Sequence, residues 1–143
     1  MKAIQAECAA KIVEGVPFVM RYLREQFRAQ REFTVPQIRV LGYLHYRACG
    51  TLSELAAHQG VSMPTMSKLV TGLVQRKLIK REEHGEDKRK LKLQLTPEGA
   101  RAYDAAREGA RRYVAEKLSH CTADEQSKLS EALDLLQAVF SKK

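Results

Sequence analysis

Residues Leu78 to Gly99 read LIKREEHGEDKRKLKLQLTPEG. In the second half of this stretch Leu91, Leu93 and Leu95 alternate with Lys90, Lys92 and Gln94. Successive side chains leave a strand on opposite faces, so a period of two predicts a half-buried strand. The shorter run LIKRE supplies a partner, and EHGEDK, with Gly85 inside it, supplies the turn. The stretch is a β-hairpin with leucines toward the body and cations toward solvent. Residues 76–92 hold eight Lys and Arg against four Asp and Glu, so part of the chain's net charge of +8 is concentrated there.

Around the hairpin the pattern is helical. TVPQ at Thr34, TLSE at Thr51 and TADE at Thr122 each set a threonine three residues before Gln37, Glu54 and Glu125, the reciprocal capping box of a helix start. SMP at Ser62 and TPE at Thr96 add two more starts, each a capping hydroxyl followed by a proline in the first turn. Gly50 and Gly60 stand where helices should stop. These marks predict helices near 4–31, 35–48, 52–58, 63–76, 97–119 and 123–141. Gly15 and Pro17 predict a kink or break in the first. The fold class is mainly α with a small β-hairpin.

At 143 residues the chain has the size of one domain. Apolar residues make up 44% and charged residues 29%, the composition of a soluble protein. A pI near 9.6 favours a polyanionic partner. Cys8, Cys49 and Cys121 are too few and too scattered for a disulfide framework or a zinc pattern. His45 with Cys49, and His120 with Cys121, form no tight ligand cluster, so neither a metal nor a cofactor is expected. No apolar stretch approaches the roughly 20 residues of a membrane span, and no export signal opens the chain; a cytoplasmic setting, away from membranes, is expected. No nucleophile-base pattern or phosphate-cradling glycine loop suggests an enzyme.

The order helix, short helix, turn, helix, hairpin is that of a winged helix-turn-helix, whose second helix enters the DNA major groove. Leu52, Leu55, Ala56, Val61, Met66, Leu69, Val70 and Leu73 are spaced to form its small core, with Gly60 in the turn. The opposite face of the second helix presents Ser62, Met63, Thr65, Ser67, Lys68 and Thr71, small, polar or cationic side chains suited to base edges and phosphates.

TVPQIRVLGYL, then GTLSELAAHQGVSMPTMSKLVTGLVQRKLIKR, then EDKRKLKLQLTPEG resembles the MarR (multiple antibiotic resistance regulator) family of bacterial transcription factors over roughly residues 34–105. The resemblance implies a winged helix-turn-helix at 34–96 within a single domain of 1–143, with 1–33 and 97–143 as dimerisation helices. It also implies a sequence-specific regulator, expected to be a repressor, that binds a pseudo-palindromic operator in double-stranded DNA as a homodimer. In that family an Asp-x-Arg element near the wing tip sets an arginine at the minor groove, and here it reads Asp87, Lys88, Arg89. A narrow minor groove concentrates negative potential that attracts Arg89, and Asp87 can align the guanidinium. Lys88, Lys90 and Lys92 would neutralise phosphates.

The flanks carry surplus apolar faces at helical spacing. Ile12, Val16, Val19, Met20, Leu23 and Phe27 form one, and Leu129, Leu133, Leu136, Val139 and Phe140, with Tyr113, Val114 and Leu118, form another. The resemblance further implies release from DNA by a small phenolic or lipophilic effector in a crevice, for which Tyr22, Arg39, Tyr43, His45 and Tyr46 are the candidate lining. Two rival readings are a redox-responsive regulator acting through Cys8 and a winged-helix module that binds protein instead of DNA.

Overall fold

The structure, a computed structural model, describes residues 1–82 and 91–141. Among the described residues six helices and three strands follow in the order α1 (Ala3–Ala29), α2 (Val35–Arg47), β1 (Gly50–Thr51), α3 (Leu52–Gln59), α4 (Met63–Gln75), β2 (Ile79–Glu82), β3 (Lys92–Leu95), α5 (Pro97–Leu118) and α6 (Ala123–Ser141). Two compact units are formed, Met1–Glu108 and Gly109–Lys143, with the division inside α5.

The helix starts follow the capping residues. Thr34 and Thr122 each make the full box, accepting from the N–H of Gln37 and Glu125 while those side chains accept from the threonine N–H. At Thr51 only one arm forms: its hydroxyl accepts from Glu54 N–H at 3.1 Å, but the Glu54 carboxylate accepts from the Tyr43 hydroxyl instead. Gly60 closes α3 in the left-handed conformation at φ 67°, as its place predicts. Gly50 does not close α2. That helix stops at Arg47, with Ala48 at φ 64°, and Gly50 begins a strand that the sequence reading did not foresee.

Of the kink or break expected in α1, the break is absent. Pro17 lies inside a continuous helix, because a proline removes one N–H from the ladder and the many turns on either side hold the register. The hairpin is antiparallel as expected, pairing Ile79 with Leu95 and Arg81 with Leu93, and β1 adds to the other edge of β3 through Gly50 and Leu93. The sheet order is β1-β3-β2.

In the first unit the core is built around α2, whose Val40, Leu41 and Leu44 are fully buried against Leu55, Met66, Val70, Leu73 and Ile79. Burial of each such side chain contributes about 1.5–3 kcal/mol. Of the predicted helix-turn-helix core, Leu55, Ala56, Met66, Val70 and Leu73 are buried and Leu52 and Leu69 pack partly against them. Val61 is the exception at 36% exposed: its N–H bonds Ala56 O to make the turn after Gly60, which turns the side chain out. In the second unit Gln126 closes the turn between α5 and α6 by donating to Leu118 O and Cys121 O at 3.0 and 3.2 Å.

Candidate nucleic-acid interface

Helix α4, expected from the sequence to be the recognition helix, is fixed at both ends. At its start the Ser62 hydroxyl accepts from Thr65 N–H at 3.3 Å and donates to Thr65 Oγ1 at 2.9 Å, so Ser62 is spent on capping and the Thr65 hydroxyl proton is left to donate outward. Gln59, at the end of α3, donates to Pro36 O at 3.1 Å. At the far end of α4 the Arg76 guanidinium lies 4.5 Å over the Phe33 ring and donates to Glu32 O at 3.1 Å, tying the helix to the α1–α2 connection. Arg76 was counted only as a charge in the sequence reading. Its role depends on contact with residues more than forty positions away, which spacing does not disclose.

Met66, Val70 and Leu73 face the core, which turns the opposite side of α4 outward. Met63, Thr65 and Lys68 are exposed there with Ser62, while Ser67 and Thr71 are half-buried. The hairpin follows α4 through a left-handed Lys77 at φ 61°, where Lys77 N–H bonds Val74 O and Leu78 N–H bonds Leu73 O. Lys92 is exposed on β3, and Lys80 pairs with Glu82 at 3.5 Å on β2. The wing residues Asp87, Lys88, Arg89 and Lys90 lie outside the described residues. Arg81, not among the candidates, donates from Nη2 to Thr71 Oγ1 at 3.2 Å.

The candidate crevice is partly assembled. A pocket of about 370 Å³ is lined by Arg39, Tyr43 and Tyr46 of the expected set, together with Phe27, Ile38, Gly42, Arg47, His58 and Tyr103. His45 is not in the lining: it packs against Tyr46 and Tyr103, with ring centroids 4.9 and 5.0 Å away. Tyr22 also lies outside the lining, half-buried on α1. Tyr43 joins the pocket to α3. Its hydroxyl donates to Glu54 at 3.3 Å and accepts from Arg47 at 3.4 Å, Arg47 stacks over its ring, and the His58 ring stands edge-on at 4.9 Å. Burial, followed by the charges of Arg39 and Arg47, holds His58 below the usual histidine range. Burial pushes the Tyr103 phenol up, helped by its hydrogen bond with Tyr46, which in turn accepts from Arg107 at 3.2 Å.

Cys8 is exposed on α1. Among the described residues no cluster of His, Cys, Asp or Glu could hold a metal, and no helix is long and apolar enough to cross a membrane.

A sequence model of the MarR family matches residues 32–90, starting in the connection between α1 and α2. Over those residues the chain is similar to the MarR family. A curated HTH-type transcriptional regulator of Mycobacterium leprae is 28% identical over 120 residues, covering 82% of this chain and 84% of that protein. A MarR family protein from Bacillus stearothermophilus has the same fold, with a TM-score of 0.75 at 20% identity over 96% of this chain and 98% of the other. A mutant Escherichia coli MarR in complex with operator DNA superimposes with a TM-score of 0.61 at 22% identity, covering 87% of this chain and 92% of that one. The chain thus shares the winged-helix fold of these proteins and is similar in sequence to HTH-type transcriptional regulators.

Proposed function

We propose that the chain is a transcriptional repressor of the MarR family that binds a pseudo-palindromic DNA operator as a homodimer and is released by an aromatic anion. The observation that carries DNA reading is the outward row of Met63, Thr65 and Lys68 on a helix braced at both ends, beside a cationic hairpin. Asp87, Lys88, Arg89, Lys90 and Lys92 are assigned to the wing from sequence, with Arg89 at the minor groove and the lysines at phosphates. A mutant Escherichia coli MarR with this fold has been solved on operator DNA, which supports the same docking for this chain. A DNA partner is in keeping with a cytoplasmic setting.

Selection of bound sequences from a random duplex pool tests the reading. A two-fold symmetric site is expected, and Ser67→Ala or Lys68→Ala should cost about 1–3 kcal/mol on it and change the preferred bases. Recovery of no consensus would overturn operator recognition. Unchanged preferences in both variants would remove Ser67 and Lys68 from base reading.

The homodimer rests on uncovered apolar faces. Val16, Phe18, Val19 and Met20 on α1 and Leu129, Leu133, Val139 and Phe140 on α6 are each at least 40% exposed. Apolar patches of this kind on a soluble chain mark association surfaces. Sedimentation at micromolar concentration should give about twice the 16.2 kDa chain mass, and a monomer would sink the symmetric-operator scheme.

The effector class follows from the pocket. Arg39, Arg47 and His58 line it with three tyrosines, and its lining holds no carboxylate among the described residues, so a ring bearing an anionic group fits its chemistry.

A further inference from the structure

The Thr71–Arg81 hydrogen bond joins the helix that reads the groove to the strand that starts the wing, and neither the recognition-helix set nor the wing set accounts for it. Strand alternation explains how it arises. Ile79 is buried toward the core at 2% exposure, so Arg81, two residues on, leaves β2 on that same side, the side turned to α4. Lys80 and Glu82 leave on the other side and pair with each other. Arg81 is opposite Leu93 in the register, and that buried leucine fixes the strand.

The guanidinium has five N–H donors, and the Thr71 hydroxyl engages one of them. The rest belong to an exposed side chain at the seam between α4 and the hairpin. Thr71 is half-buried, and its hydroxyl is turned to the arginine, so its part is to hold Arg81 and not to read a base itself. A planar, oriented fork of this kind matches phosphate oxygens two at a time, which a free lysine does not.

Resting on the DNA-binding reading above, we infer that Arg81 is a phosphate-contact residue of the operator complex, held in position by Thr71 at the junction of recognition helix and wing. It grips the DNA backbone between the major-groove helix and the wing tip and thereby sets the angle between those two readers.

The test is fluorescence anisotropy of the full-length protein on a random-sequence DNA duplex, titrated between about 50 and 200 mM salt. Arg81→Ala should weaken binding about tenfold and flatten the slope of log K against log salt by about 0.9. Arg81→Lys should keep the slope while recovering only part of the affinity, since the charge returns without the fork. Thr71→Val leaves every charge in place and should still weaken binding about threefold, a loss that charge counting does not give. Arg101→Ala, which removes one exposed cation from α5, serves as the reference for a distant charge.

Wild-type slope in a folded Arg81→Ala protein, or an Arg81→Ala effect no larger than that of Arg101→Ala, would overturn the assignment while leaving DNA binding intact. Should Arg81→Ala not fold, Arg81→Lys at full wild-type affinity would overturn the fork geometry. A wild-type protein that binds no duplex would overturn the DNA-binding reading and this inference together.

Discussion

Gly99→Ala is expected to destabilise the protein by about 3 kcal/mol, roughly 10 °C in thermal midpoint, with no charge or polar group altered. A methyl group at Gly99 would overlap the Leu78 carbonyl oxygen and stand 2.9 Å from its carbonyl carbon. Backbone cannot swing aside as the tip of a side chain can. The neighbouring bonds also forbid retreat: Thr96 N–H donates to Leu78 O at 3.1 Å, the Thr96 hydroxyl donates to Lys77 O at 2.6 Å, and Gly99 N–H donates back to the Thr96 hydroxyl at 2.9 Å. The start of α5 is therefore seated on the turn that ends α4, and moving it to relieve the methyl breaks several bonds at about 0.5–1.5 kcal/mol each. Gly72→Ala is the natural comparison. Nothing lies within 4 Å of a methyl group there, and the position is interior to α4, so a gain of about 0.5–1 kcal/mol is expected. Calorimetric midpoints moving in opposite directions would bear out both; a Gly99→Ala midpoint within a degree or two of the wild type would refute the seating of α5.

The second large effect is on DNA. Arg89→Ala should reduce operator affinity by a hundredfold or so, about 2.7 kcal/mol, because a desolvated guanidinium in a narrow minor groove has no substitute among short side chains. Thermal stability should hardly change, since ion pairs at a protein surface contribute little to folding. Asp87→Ala separates alignment from charge. Removing an acid near DNA strengthens binding by simple charge counting, so a weakening shows that orienting Arg89 outweighs repulsion. Lys90→Ala should lower affinity evenly across sequences and reduce the salt slope by about one. Normal operator binding by Arg89→Ala at physiological salt would remove that residue from the groove.

The helix starts were legible in the sequence because a cap is a local device. Thr34, Thr51, Ser62, Thr96 and Thr122 each act within three residues of themselves, and all five cap the helices they announce. The hairpin was legible for the same reason, its leucine period being set by neighbours along one strand. What escaped notice is non-local. β1 is two residues long and exists through its pairing with β3, some forty residues on. Arg76 on Phe33, Tyr43 on Glu54 and Arg81 on Thr71 join different elements, and no periodicity within one element reports them. No break occurs at Pro17, since α1 has 27 residues to hold the register across one missing N–H. Of the crevice set, Arg39, Tyr43 and Tyr46 fall at the pocket; Ile38, Gly42 and Arg47 of α2 join them, and Phe27, His58 and Tyr103 come from α1, α3 and α5, which spacing along α2 does not reach.

The position of Tyr43 bears on how such a regulator can diversify. One side chain forms a wall of the pocket, holds α3 through Glu54, carries Arg47 and His58 on its ring, and lies 2.9 Å from where any side chain at Gly50 would begin. A substitution at Tyr43 or Gly50 that altered ligand preference would disturb the helix-turn-helix at the same stroke. Arg39, half-buried Gly42 and the largely exposed Tyr46 are not bound in that way. Paralogues that acquire a new inducer while keeping their operator should therefore vary at those positions and retain an aromatic hydroxyl at residue 43.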